Sequence, residues 1–232
     1  ARYIQEAARK IGKTIYCTEM WDDHDIRSDM HKQTSNYPEL YKFLDFSQNT
    51  HAIGQDHWDN LQSVRKGIQP IRPINNVKIY GGEGKIHKDS RHAEECFWRG
   101  VLGGQASARF HRPPTGLGLS ERAQKHLASM RSVEACFDDF FKGTQLGKIL
   151  TSGPNNAFAY GVLGSCVAIV NLQAECFSFD STGFRRPELR GLGSRQPQWR
   201  DERSCYTQVD LCKGSSSIDP LQHFLVWVVT EA

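Results

Sequence analysis

Val77-Lys78-Ile79-Tyr80-Gly81-Gly82-Glu83-Gly84 is the stretch on which the reading of this chain turns. The first four residues make a short extended run. It delivers a single carboxylate into a glycine-rich turn at its C-terminal end. Glycines on either side let the loop approach a ligand closely and leave Glu83 uncrowded. Taken alone, Gly81-Gly82-Glu83-Gly84 also reads as an ordinary surface turn, so the flanking sequence has to decide.

Working outward, the first 142 residues alternate between helical and extended patterns. Ile4, Ala7, Ala8 and Ile11 form an apolar stripe at helical spacing over residues 1–11, and Gly12 ends it. This opening reads as mid-helix, as in a chain cut from a longer one. A strand over 14–18 ends at Glu19-Met20-Trp21-Asp22-Asp23. A polar loop runs through Tyr37, and a short helix around Pro38–Tyr41 leads to a strand over 43–46. That strand ends at Ser47-Gln48-Asn49-Thr50-His51. A helix over 55–67 carries Trp58, Leu61, Val64 and Ile68 on one face. After the strand at 77–80, a helix at 93–102 aligns Phe97 with Val101, and Gly103-Gly104 turns the chain into a strand at 105–110. It closes on His111-Arg112-Pro113. A helix over 120–142 points Leu127, Met130, Val133, Phe137 and Phe141 inward. Strands alternating with helices in this way predict βαβ units and a parallel sheet. Four units are half of an eight-unit barrel.

From about residue 147 the texture changes. Short apolar or alternating runs at 157–160, 166–172, 176–180, 205–211 and 224–229 are separated by Gly, Ser, Asn and Pro clusters. This spacing predicts an antiparallel β-sandwich. The expected domains are 1–146 and 147–232, with the boundary near 143–153.

Composition excludes several classes. A net charge of +3, evenly spread, argues against nucleic acid or an anionic membrane as partner. No run of about 18 apolar residues is present to span a membrane. The seven cysteines include no Cys-x-x-Cys, which disfavours zinc ribbons and thioredoxin-like chemistry. Cys17 and Cys166 read as small core residues, whereas Cys176, Cys205 and Cys212 can pair in an oxidising compartment.

A barrel gathers its strand ends on one rim, so these ends can be compared as a set. They supply Glu19, Trp21, Asp22 and Asp23, then Gln48, Asn49 and His51, then Glu83, then Arg109, His111 and Arg112. Carboxylates and amides hydrogen-bond hydroxyls in pairs, and an indole offers a flat apolar face to a sugar ring. Asp22-Asp23-His24-Asp25, with Asp29 and His31, lacks the glycine and terminal Glu of an EF-hand loop, and no His-Glu-x-x-His occurs. A solvated or sugar-binding acidic loop is therefore expected there, with no metal. His51 and His57 read as helix-entry or packing histidines sooner than as ligands. Trp58 and Trp98 read as core. No Gly-x-Ser-x-Gly elbow is present to support a serine nucleophile.

The segments 14–23, 43–51, 58–68, 77–84 and 97–113 together resemble the second half of a clan-A glycoside hydrolase-type TIM barrel, closest to uncharacterised bacterial members. Asn156–Tyr160, Cys166–Asn171, Gln198-Trp199 and Pro220–Val229 resemble the collagen-binding-type β-domain that follows the barrel in such proteins. The resemblance implies that 105–110 is the eighth strand and 77–80 the seventh. Glu83 then falls on the family's nucleophile position. The acid/base Glu, on the fourth strand, would lie upstream of this chain. Glu19, at the end of the fifth strand, is the internal candidate for that missing role, but it lies too far round the barrel for it and reads sooner as a substrate contact or as a support for one. Gln48, Asn49, Asp22, Arg109 and His111 would position hydroxyls of a carbohydrate substrate, with no cofactor, in a secreted or periplasmic protein. A non-catalytic carbohydrate- or matrix-binding protein on the same scaffold is the alternative.

Overall fold

In the computed structural model, the described residues are 1–21, 23, 25–46, 52–79, 90–110, 119–146, 150–152, 157–171, 176–180, 187–192, 208–212 and 225–231. They divide into two compact units, Ala1–Ser120 and Glu121–Ala232.

The first unit is built on four parallel strands, β1 (Met20–Trp21), β2 (Leu44–Phe46), β3 (Ile74–Ile79) and β4 (Ser107–Phe110), hydrogen-bonded in chain order. Helices α1 (Arg2–Lys10), α2 (Asp29–Ser35), α3 (Gly54–Gly67) and α4 (Ser90–Leu102) precede or connect them. Parallel neighbours require such crossovers, and helices are the usual solution. The α/β alternation is thus as the sequence predicts.

Strand parity sorts the sheet into two faces. Leu44, Phe46 and Ile74 are buried with Ile26 and with Leu61 and Ile68, while Val64 and Tyr41 pack against them at the edge. Burial of each large side chain stabilises the unit by roughly 1.5–3 kcal/mol, which makes this cluster its anchor. Trp58, Phe97 and Trp98 are also buried, as their helical stripes predict. Inside α4 the Arg99 guanidinium pairs with Glu95 Oε2 at 3.1 Å, and both side chains are almost wholly shielded from solvent.

Gly12 ends α1 in the left-handed region at φ 69°, with its N–H bonded to Arg9 O and the next N–H reaching Ala8 O. Gly104, at φ 89°, gives the chain the turn between α4 and β4.

Four elements differ from expectation, besides β3, which begins at Ile74 rather than Val77. The strand at 14–18 is reduced to one bridge, Cys17 to Tyr41, and regular pairing begins at Met20. Residues 38–40 form a turn, closed by the Leu40 and Tyr41 N–H groups on Tyr37 O. The loop before it contains α2, whose first turn is capped by Ser28 Oγ accepting from the Met30 N–H. The stripe on α1 buries Ala8 alone, leaving Ile4 and Ile11 exposed, and Gln5 Nε2 fastens the helix to Leu40 O.

The second unit opens with α5 (Glu121–Glu134), which stops well short of 142; a 3-10 turn at Phe140–Lys142 follows it. Asp139 Oδ1 accepts from the Phe141 N–H to start that turn, and Phe141 points to solvent rather than inward, with Val133 buried as expected. Then come β5 (Thr144–Gln145), β6 (Leu150–Ser152), β7 (Ala157–Val162), β8 (Cys166–Asn171), β9 (Cys176–Asp180), β10 (Pro187–Leu192), β11 (Gln208–Cys212) and β12 (Leu225–Glu231). They form two antiparallel sheets, ordered β10-β12-β8-β7-β5 and β11-β9-β6. Phe158, Tyr160, Val167 and Ile169 are buried, and the Tyr160 hydroxyl donates to Phe140 O at 2.6 Å.

Candidate functional site

On the face of the parallel sheet away from the apolar cluster, the sequence places a polar row. Asp45, Asn75 and Ser107 are register partners on β2, β3 and β4. The Asn75 amide donates to Asp45 Oδ1 at 2.9 Å, and the Ser107 hydroxyl donates to Asn75 Oδ1 at 2.9 Å. The Asp45 backbone N–H meets Thr18 Oγ1 at 3.2 Å, which extends the chain of contacts toward β1. Asp45 and Asn75 are half-buried and Ser107 is exposed, so the row is accessible to solvent. A carboxylate and a hydroxyl held in fixed orientation by a shared amide can accept hydrogen bonds from a polyol without reorganising. The sequence signal was Asp45 itself, a carboxylate alternating with Leu44 and Phe46 inside an extended run.

The register then changes between Asn76 and Ile79, on the strand that leads toward Glu83. Irregularities of this kind re-aim side chains and are common beside functional sites.

Two expected site residues are well defined. Glu19 accepts from the Tyr41 hydroxyl at 3.0 Å, and burial together with that carboxylate pushes the phenol upward. The Trp21 indole N–H donates to Thr34 Oγ1 on α2 at 3.1 Å, and Trp21 lies opposite Phe46, a residue of the buried cluster. The Trp21 indole therefore turns to the helix side, opposite the polar row. For Trp21 this is a strand-to-helix link where a sugar platform was expected. Arg109 lies in β4, two positions beyond Ser107. Asp22, Gln48, Asn49, His51, Glu83 and His111 lie outside the described residues.

The acidic loop after β1 is organised by its own backbone. Asp23 Oδ1 accepts from the Asp25 N–H at 2.9 Å, which with the Ser28 hydroxyl holds the Asp23 carboxyl below its ordinary range. Asp25 takes the Arg27 guanidinium in a fork, Nε to Oδ1 at 2.9 Å and Nη2 to Oδ2 at 2.8 Å. His31 is buried against the edge of Phe46, and burial lowers its pKa. Among the described residues no group of three His, Cys, Asp or Glu is placed to hold a metal, and no helix is long and apolar enough to cross a membrane.

With this geometry in hand, comparison with solved structures gives the scaffold. The chain is similar in fold to a glycoside hydrolase family 5 protein from Bacteroides vulgatus, with a TM-score of 0.61 at 11% identity over 99% of this chain and 58% of that one. It is also similar to a GH27 β-L-arabinopyranosidase from Geobacillus stearothermophilus, with a TM-score of 0.57 at 11% identity over 100% of this chain and 53% of the other. A third structure, described only as a glycoside hydrolase, gives a TM-score of 0.54 at 9% identity over 85% of this chain and 54% of its own. The likeness is one of fold. This chain spans a little over half the length of each of these structures. No family model and no curated protein matches its sequence.

Proposed function

We propose that this chain is part of a glycoside hydrolase that cleaves O-glycosidic bonds of a carbohydrate. Glu83 attacks the anomeric carbon, and a Glu outside this chain protonates the leaving oxygen. Asp22, Gln48, Asn49, His51, Arg109 and His111 hold substrate hydroxyls. Glu19 contacts the same substrate, and Trp21 ties β1 to α2. No cofactor takes part, the protein acts in a secreted or periplasmic setting, and the two antiparallel sheets pair as a sandwich of the collagen-binding type.

The observation that supports this reading is the parallel sheet in chain order on a scaffold shared with glycoside hydrolases. Fold alone does not fix function, so the site has to be tested directly. Glu83→Gln in the full-length parent should lower hydrolysis across a glycan panel by about a thousandfold or more while leaving the melting temperature unchanged. Retained turnover refutes the nucleophile assignment. Binding of the same glycans by the wild-type parent without turnover would make it a non-catalytic carbohydrate- or matrix-binding protein instead.

A further inference from the structure

β9 and β11 pair antiparallel, and their register sets Cys212 directly opposite Cys176. Directly opposed residues of an antiparallel ladder share one face of the sheet, with Cα atoms about 4.5–5.5 Å apart. That separation lies inside the roughly 4.4–6.8 Å that a disulfide spans. Cys176 opens β9 and Cys212 closes β11, so the two occupy one end of the ladder. Sequence alone offers Cys176, Cys205 and Cys212 as equal candidates for pairing; the register sets two of them opposite each other, and Cys205 lies outside the described residues.

We propose that Cys176 and Cys212 form a cross-strand disulfide. One thiolate attacks the disulfide of an external oxidant, either a small-molecule disulfide or the disulfide of an oxidoreductase, and expels one thiol. The second thiolate then attacks the mixed disulfide and expels the other. Each cysteine gives up its proton, and two electrons pass to the oxidant. The bond fastens β11, which among the described residues has β9 as its one strand neighbour in the sheet order β11-β9-β6. It also closes a loop of roughly 35 residues, which restricts the unfolded chain more than a short loop would.

The other described thiols of this unit, Cys136 and Cys166, compete poorly. Cys166 is buried, and burial pushes its thiol up to about 12, which leaves little thiolate at neutral pH. Cys136 is half-buried and donates to Ser132 O at 3.3 Å. The proposal stands on strand register and is independent of the hydrolase reading.

The test is peptide mapping of the whole chain after incubation with oxidised glutathione, without reduction. A protease specific for acidic residues cuts after Glu175 and Asp210, which parts Cys176 from Cys166 and Cys212 from Cys205. The expected product is a linked pair of peptides, one beginning at Cys176 and the other containing Cys212. Reduction should lower the melting temperature of the wild type by roughly 10 °C. The same drop should appear in Cys205→Ser and be absent from the Cys176→Ser/Cys212→Ser double variant. Linkage of either cysteine to Cys205, a Cys136–Cys166 link in its place, or separate glutathione adducts on Cys176 and Cys212 would each overturn the proposal.

Discussion

The Asn75 side-chain amide donates to Asp45 Oδ1 at 2.9 Å across the β2–β3 ladder, while its own oxygen takes the Ser107 hydroxyl. One amide therefore joins three strands on the face opposite the apolar cluster. Asn75→Asp sets two carboxylates against each other and removes the donor. It should destabilise the protein by about 1–3 kcal/mol. Asp45→Asn keeps an acceptor oxygen at position 45 and should cost less than about 1 kcal/mol. Combining the two exchanges donor and acceptor: the new amide at 45 faces a carboxylate at 75 that still accepts from Ser107. Urea denaturation of all three variants checks this, and a double variant no more stable than Asn75→Asp contradicts it.

The C-terminal end of α4 is fixed by a close contact that sequence marks only as a glycine pair. A Cβ on Gly103 would meet Arg99 O at 2.4 Å and Leu61 Cδ2 at 2.6 Å. Its carbonyl already accepts from Gln62 Nε2 and Arg65 Nη1, both at 3.0 Å, which locks α3 against the turn. The backbone at this point therefore has little freedom to retreat from an added methyl. Gly103→Ala should lose about 1–3 kcal/mol of stability, read as a lower urea midpoint at unchanged slope. A substitution at Gly67, where a Cβ meets nothing within 4 Å, provides the control.

The fold was legible where burial followed a simple period. Leu61 and Ile68 on α3, and Leu44 and Phe46 flanking Asp45, announced their elements because one face of each is apolar. α2 was hidden because the residues it buries, His31 and Thr34, are polar and give no apolar period. The end of α5 was misplaced because Phe137 and Phe141 continue the helical spacing into a 3-10 turn, where Phe137 and Phe140 instead meet edge to face at 5.2 Å. Trp21 lies within β1 rather than beyond a strand at 14–18. Its direction follows from parity, and parity depends on where pairing begins, at Met20 rather than Thr14. The Asp45–Asn75–Ser107 row needed the register of three strands, which no single segment contains.

His31 makes stability depend on pH. Its ring bonds the backbone carbonyl of Asp23, but burial outweighs this and lowers the pKa below the ordinary 6.5. A group whose pKa is lower in the folded state binds its proton more tightly when unfolded. Its contribution is therefore present above the unfolded value and is lost as pH falls below about 6.5. Melting temperature should decline from pH 7 to pH 5, and His31→Gln should flatten that decline whatever its effect at pH 7. A variant whose acid slope matches the wild type removes His31 as the cause.

Exposed apolar surface collects on α1 and the segment after it, with Tyr3 83%, Ile4 56%, Ile11 73% and Tyr16 68% exposed. Among the described residues, β1 and β4 each pair with a single strand, which leaves a parallel edge on either side of the sheet. Open edges and exposed apolar side chains both favour association. The 232-residue chain expressed by itself should therefore self-associate at micromolar concentration, as seen by sedimentation velocity. Ile4→Lys with Ile11→Lys should shift the distribution toward monomer, because both positions face solvent and the added charge opposes contact without disturbing the Gln5–Leu40 bond. A wild-type chain that sediments as a single monomeric species and melts cooperatively would show that neither the helix face nor the strand edges drive association.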